Sequence, residues 1–415
     1  MKVVTLLVVG AGGRGQGYAK FAKSCPDRAR VVGVAEPRDF FRQKLAQEHE
    51  IAAENVFDDW RKAAAKPRMA DAVLICTQDT MHEEPAIAFA KLGYHVLLEK
   101  PMAPSVEACR NIVAAVEETG IIFAVCHVLR YTAFTKALKE ILDRGTIGDI
   151  TSIDHYEPVG FWHQAHSFVR GNWRRETDCN GMLLAKSCHD IDWLSHIMGK
   201  PCARVSSFGS LRHFKPSEAP AGAAARCMDC SLNDTCPYSA KRFYFAMLEE
   251  ERLAWPLDVV DPEMTAETLE RALREGPYGR CVYACDNDVV DNQVVCLQYA
   301  DGSTANFTMT AFNPGGARQT RIGGTLGYIE TIDSSVIKHF DYATNKWQEI
   351  DTNAGDDSVL GGHGGGDGGL MNAFIGAIAT GDRSQILSGA AATLESHLTV
   401  FAAEESRRKG IVCQM

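Results

Sequence analysis

The chain lacks an excess of positive charge: 43 lysines and arginines stand against 53 aspartates and glutamates, a formal net charge of −10 across 415 residues. That balance gives no electrostatic reason to approach nucleic acid or anionic lipid, so neither nucleic acid nor membrane is expected as a partner. No stretch approaches the roughly 18 consecutive apolar residues that a membrane span requires. Internal repeats are missing too, which excludes a solenoid or propeller. Cysteine is not scarce, but the fourteen thiols are scattered through a chain far longer than a disulfide-stapled secreted domain, so reduced thiols are expected. Lys2 followed by the apolar run Val3 to Val9 imitates a short signal peptide, yet the run leads into Gly10 to Gly15 with no small-residue cleavage pattern. A cytoplasmic location is the expectation.

What is present is an ordinary globular composition, 46% apolar and 23% charged, at a length that predicts two or three domains of about 150 residues each. In the first third, Val3 to Val9, Ala29 to Ala35, Asp71 to Cys76, Tyr94 to Leu98 and Ile121 to Cys126 are near-continuous apolar runs, the pattern of parallel strands covered on both faces. Amphipathic segments separate them. The clearest, from about Ser105 to Thr119, places Val106, Cys109, Ile112, Val113 and Val116 on one helical face and stops at Gly120. Residues 1–129 therefore read as a doubly wound α/β domain. After a helix from about Thr132 to Arg144 the texture changes. Strand candidates Ile150 to Glu157, Val205 to Leu211, Gln293 to Tyr299, Ala305 to Phe312 and Gly327 to Thr331 follow with fewer helices between them, and Asp301-Gly302 joins two of them as a hairpin turn. Residues 130–415 read as an α+β domain with a mainly antiparallel open sheet, interrupted by an insertion at about 213–279. The glycine-rich stretch Gly361 to Gly369 opens the last helical region.

Gly10-x-Gly12-x-x-Gly15, with Gly13 and Arg14 inside it, ends the first strand and opens a helix, where backbone amides and the positive helix end face a pyrophosphate. Glu36 ends the second strand 21 residues after Gly15, near the spacing at which a carboxylate accepts bonds from a ribose 2′-hydroxyl. Together they predict a Rossmann-type sheet that binds NAD, with NADP disfavoured because Glu36 repels a 2′-phosphate. Arg38, two residues on, softens that preference and reads as a cation beside the adenine. Thr77-Gln78-Asp79-Thr80-Met81-His82 and Glu99-Lys100-Pro101 both fall at strand carboxyl ends, where ligands collect in open α/β sheets. In the second domain, Gly181 to Asp192 introduces an apolar helix through His189-Asp190-Ile191-Asp192.

With these motifs in this order, essentially the whole chain resembles the Gfo/Idh/MocA oxidoreductases, the glucose-fructose oxidoreductase and inositol dehydrogenase family. The resemblance implies a nicotinamide cofactor held by the first domain, with Thr77, Asp79, His82, Glu99 and Lys100 joining the glycine loop. It also implies a sugar, cyclitol or glycoside against the second domain's open sheet, hydride transfer between the two, and Lys100 and His189 at the reacting hydroxyl. The chemistry agrees: oxidising a secondary alcohol sends a hydride from carbon and a proton from oxygen, and a lysine or histidine within reach accepts the proton while a cation stabilises developing alkoxide. One departure stands out, because many members carry an aspartate four residues before the histidine where this chain has Ala185, followed by Lys186. Lys186 is expected to bind substrate hydroxyls or an anionic group. Asp192 is expected either to orient the substrate or imidazole or to supply helix-terminal charge. The open sheet of the family commonly pairs with a second subunit, so a homo-oligomer is expected.

Further substrate contacts are expected from Arg170 and Trp173, within a run of cations, amide and indole from Ser167 to Arg175, while His163 and His166 stay unassigned. His363 and Asp367 form either a lid over the substrate or a flexible connection. Cys227-x-x-Cys230-x5-Cys236 fits a structural zinc knot with a fourth ligand from Cys281, Cys285 or His213, or else unligated thiols under a loop. Two other functions compete with the dehydrogenase: a glycosidase that oxidises its substrate transiently on bound NAD, and a nucleotide-sensing regulator, against which the presence of both Lys100 and His189 speaks.

Overall fold

The computed structural model describes residues 2–352 and 363–415. Six strands, β1 (Val4–Val9), β2 (Ala29–Ala35), β3 (Val56–Phe57), β4 (Ala72–Ile75), β5 (His95–Leu98) and β6 (Phe123–Val125), form an all-parallel sheet in the order β3-β2-β1-β4-β5-β6. The strand order reverses between β1 and β4, which opens a ligand crevice at their carboxyl ends. The apolar run Leu6 to Val9 of β1 follows from burial on both sides: Leu6 and Val8 enter one core layer, Leu7 and Val9 the other. The helix Val106–Thr119 is bounded as its sequence predicts, with Ser105 accepting the Ala108 amide at 3.1 Å and Gly120 in a left-handed C-cap.

The second sheet has nine strands: β7 (Ile150–Pro158), β8 (Cys202–Ser210), β9 (Asn292–Tyr299), β10 (Thr304–Thr310), β11 (Gln319–Gly324), β12 (Gly327–Thr331), β13 (Val336–Asp341), β14 (Lys346–Asp351) and β15 (Cys413–Gln414), in the order β14-β13-β12-β11-β7-β10-β9-β8-β15. The β9–β10 hairpin turns at Asp301-Gly302, where Asp301 accepts the Ser303 amide at 3.0 Å and Gly302 sits at φ +89°. The sheet is mixed, because β7 and β10 pair in parallel while the other pairs are antiparallel. Strands β3, β11, β13, β14 and β15 carry too little apolar alternation to be read beforehand.

Two late helices knit the halves together. Leu370, Met371, Phe374 and Ile375 of the helix Gly366–Thr380 pack with Val4, Leu6, Tyr18 and Phe21, so one face of the first sheet is completed from near the chain's end. The glycine-rich stretch before it begins at Gly361 and Gly362, outside the described residues. No 18 consecutive residues are apolar, but one helical stretch, Arg383–Lys409, is long and apolar enough by length and composition to cross a membrane. Here that helix, Ala390–Lys409, lies against the core, with Ser396 bonded to Asp192 and His397 to the Met102 amide. The insertion has a core of its own, built on Tyr244, Leu257, Leu269 and Leu273.

Candidate active site

The glycine loop is wound so tightly that side chains are excluded. Gly10 adopts φ +88°, and a Cβ there would meet the Cys76 carbonyl oxygen at 2.5 Å; a Cβ on Gly15 would meet the Gly10 carbonyl oxygen at 2.0 Å. Gly12 precedes the helix Gly13–Ser24, and Gly13 faces open space. At the end of β2, the Glu36 carboxylate accepts the Ala11 amide at 2.8 Å, the Arg38 amide at 3.0 Å and the Arg38 guanidinium at 2.8 Å. Burial alone would raise Glu36, but these donors hold it below the ordinary carboxylate range. Arg38 is thereby drawn back over Gly12. A close-packed turn with an open mouth and a carboxylate at the second strand's end fits a dinucleotide.

At the end of β5, buried Glu99 receives the Arg14 Nε at 2.6 Å, the Tyr18 hydroxyl at 3.0 Å and the Lys100 amide at 2.9 Å. Arg14 continues to Asp367 at 2.7 Å, so the glycine loop is tied to the helix Gly366–Thr380. Burial pushes Glu99 up, while Arg14 and Lys100 outweigh it and keep the group ionised. Lys100 extends its ammonium to the Ala185 carbonyl at 2.7 Å. Thr77 donates to the Met81 carbonyl at 3.1 Å, and Asp79, raised by burial, accepts the Trp173 indole N–H at 3.2 Å. His82 departs from expectation: it is buried between the Pro101 carbonyl at 2.8 Å and the Thr77 carbonyl at 3.2 Å, stitching two turns together instead of facing a cofactor.

From the second domain, His189 opens the helix Cys188–Met198 and is buried beside Lys100, His127, His363 and Arg318. Burial first, then the charges of Lys100 and Arg318, keep its pKa well below that of a free imidazole, so the ring is neutral at neutral pH. Lys186 pairs with Glu157 at 2.5 Å, and Arg318 bridges Glu157 at 3.0 Å and Asp190 at 2.5 Å, with His155 on Asp190 at 3.1 Å. Glu157, Arg318, Asp190, His155 and His127 escaped the sequence reading. Period-two alternation along β7, which sets Ile153, His155 and Glu157 on one buried face, was the available signal for a buried carboxylate. His163, beside Lys186, stacks near Trp162 (centroids 5.5 Å) and meets Trp255 edge-on at 5.0 Å.

Other expected contacts are corrected. Asp192 is buried, holding Arg130 at 2.7 and 2.8 Å and Ser396 at 2.9 Å, and of the expected partners it faces the imidazoles, with His127 Nδ1 at 3.6 Å, and not the substrate side. Arg170 is buried, donating to the Arg280 carbonyl and the Tyr238 carbonyl, each at 2.7 Å, which removes it from the substrate side. Trp173 stays half-exposed over Asp79. His363 bonds Asp367 at 3.1 Å with its ring 6.1 Å from that of His189. The zinc expectation fails on geometry: Cys227, Cys230, Cys236 and Cys281 line one small cavity of about 20 Å³, yet among the described residues no three such side chains gather closely enough for a metal. The Cys227 sulfur instead accepts the Ala240 amide at 3.4 Å, and Cys285 and His213 turn to the Cys281 carbonyl and the Tyr283 hydroxyl.

Comparison with known proteins follows the same two-part division. The Gfo/Idh/MocA oxidoreductase family's NAD-binding Rossmann fold matches residues 4–127, and its C-terminal alpha/beta domain matches residues 139–413. The chain belongs to the Gfo/Idh/MocA oxidoreductase family. Among its relatives in that family, 2,7-anhydro-N-acetylneuraminate hydratase of Escherichia coli is 29% identical over 210 residues, 50% of this chain and 54% of that protein. Myo-inositol 2-dehydrogenase of Thermotoga maritima is 26% identical over 209 residues, 49% of this chain and 58% of that protein. The match thus spans little more than half the length of each. Levoglucosan dehydrogenase, solved in complex with NADH and levoglucosan, shares the fold over 100% of this chain and 99% of its own, with TM-score 0.72 at 18% identity.

Proposed function

We propose that this Gfo/Idh/MocA protein is an NAD-dependent oxidoreductase acting on a secondary hydroxyl of a sugar, cyclitol or glycoside. The observation that carries the reading is the meeting of Lys100 and His189 from two different domains, with the Lys100 ammonium on the carbonyl of Ala185, beside the strand ends that bear the glycine loop. Bound NAD would be held by Gly10, Gly12, Gly13, Arg14 and Gly15, with Glu36 on the ribose, and would supply a hydride acceptor at its nicotinamide ring. The chain's own residues manage the proton. Neutral His189 accepts it from the substrate hydroxyl, and Lys100 holds the same oxygen as its negative charge grows. To the substrate side we assign Lys186, His363 and the half-exposed Trp173, and the aromatic faces of Trp162 and Trp255, 5.6 Å apart, would suit the C–H faces of a ring. Phe208, 72% exposed on the nine-stranded sheet, marks the face expected to meet a second copy.

Incubating the protein with NAD and a panel of free sugars, cyclitols and anhydrosugars, with NADH absorbance as readout, tests this directly. A second reading draws on the hydratase relative: the same constellation serves a redox-neutral cleavage or hydration, in which transient oxidation acidifies a neighbouring C–H and a leaving group departs. Product formation from an aryl glycoside or anhydrosugar without net NADH decides for it. No reaction with either panel overturns both.

A further inference from the structure

Beneath the site, His127 follows β6 in a fully buried position with neither ring nitrogen hydrogen-bonded. Its ring stands edge-on to His189 on one side, centroids 5.8 Å apart, and to His397 on the other, 5.5 Å apart. His397 is already committed. Its Nδ1 faces the Thr393 carbonyl at 3.0 Å and must carry the proton, because a carbonyl only accepts, and its Nε2 accepts the Met102 amide at 2.9 Å. It has nothing to exchange with His127.

Asp192 is different. Burial would raise its pKa, but the Arg130 guanidinium and the hydrogen bonds from Arg130 and Ser396 outweigh burial and keep it ionised. Its Oδ2 lies 3.6 Å from His127 Nδ1. A bare Nδ1 lone pair aimed at a carboxylate is repelled and an N–H is attracted, so the proton of His127 sits on Nδ1. Burial lowers the His127 pKa to about 4, hence the ring is neutral and its Nε2 is bare. The one other unsatisfied nitrogen in this cluster is His189 Nδ1, also buried, on the ring next to it. The charged groups facing the two rings, Lys100, Arg130 and Arg318 as cations and Glu99 and Asp192 as anions, leave both imidazoles neutral.

We propose that Asp192 and His127 are positioning residues that fix the tautomer of His189. The order runs from the Asp192 carboxylate to the Nδ1 proton of His127, and from His127 Nε2, across one ordered water, to the Nδ1 proton of His189. His189 Nε2 is then the bare nitrogen, ready to accept the hydroxyl proton without any prior shift. This rests on the proposed oxidoreductase reading for its use, though not for its existence. The tautomer is a property of the resting protein.

The test is nitrogen NMR on histidine-labelled protein without substrate, with the His189 signals assigned from their loss in His189→Gln. Two-bond couplings should show Nδ1 protonated and Nε2 bare on His189. His127→Phe keeps the ring volume but loses both nitrogens, so the His189 tautomer should shift and kcat should fall on the order of 100-fold with NAD affinity unchanged. His127→Gln, whose amide donates to Asp192 and accepts from His189, should restore the tautomer and most of the turnover. An Nε2-protonated His189 in the wild-type spectrum overturns the proposal, as does a wild-type tautomer in His127→Phe. Should His127→Phe fail to fold, the wild-type spectrum alone decides. If no sugar is ever turned over, the spectrum still reports the chain of bonds, so the two readings fail separately.

Discussion

The ammonium of Lys100 donates a 2.7 Å hydrogen bond to the main-chain carbonyl of Ala185, which comes from the other domain and lies four residues before His189. The family resemblance leads one to expect a carboxylate at position 185. A carbonyl can hold the lysine in place but cannot take its proton, so the burden of proton acceptance moves to His189.

Lys100→Ala should therefore lower kcat by roughly two to four orders of magnitude, the usual range for positioned acid–base groups. Calorimetric NAD affinity should barely change, because the glycine loop and Glu36 are untouched. Single-turnover hydride transfer measures the loss; a near-normal rate in the folded variant would make the lysine structural.

Glu36→Ala removes the acceptor that serves both Ala11 and Arg38. NAD binding should weaken by about 1.5–3 kcal/mol, the worth of hydrogen bonds to a charged group. The released Arg38 becomes available to a 2′-phosphate, so the ratio of NADP to NAD affinity should rise. Parallel titrations check both, and an unchanged ratio removes Glu36 from the cofactor site.

Acid should unfold the protein in two stages. Burial pushes His127 down to about 4 and His166 and His397 to about 3, and it is the leading cause for His163 and His189 as well. In the unfolded chain each titrates near 6.5, so below that pH the unfolded state binds more protons and stability falls with pH, by about 1.4 kcal/mol per unit for each such imidazole. Asp192, Glu99 and Asp367 are held low in the fold and add their loss only below about pH 4. Calorimetric Tm should drop steeply between about pH 6.5 and 4.5; a flat profile there would show that these rings are charged in the native state.

Phe374→Ala should cost about 3–5 kcal/mol of stability, the range for emptying a buried phenylalanine site. Chemical denaturation with paired cofactor titration is the check. Because Phe374 packs against Val4 and Leu6 of β1, the loss should loosen the nucleotide domain as well. A small effect would mean that the late helix merely rests on the sheet.

The parts of this protein legible in its sequence are those where backbone geometry or strand burial dictates residue type. Gly10 and Gly15 occupy places no side chain fits, and β1 is apolar apart from Thr5 because both of its faces are covered. The Asp301-Gly302 turn announced itself by its residues. Side chains whose role depends on distant partners stayed hidden. Arg170 reads as an accessible cation until the insertion closes over it, and His127 and His397 acquire meaning only once β6 and the last long helix are brought together. Strand β14, exposed along nearly its whole length, carries no burial pattern to read. The helix Gly366–Thr380 is visibly apolar, but nothing local says which sheet it will cover.

That last helix also sets an order of events at the ribosome. The side chains that complete the core under β1, Leu370 to Ala377, follow Val9 by more than 350 residues, so synthesis makes the strand long before them. Until that helix is made, Leu6 and Val8 are covered on this face only by Tyr18, Phe21, Leu45 and their neighbours, so the nucleotide-binding half completes its core from residues far along the sequence.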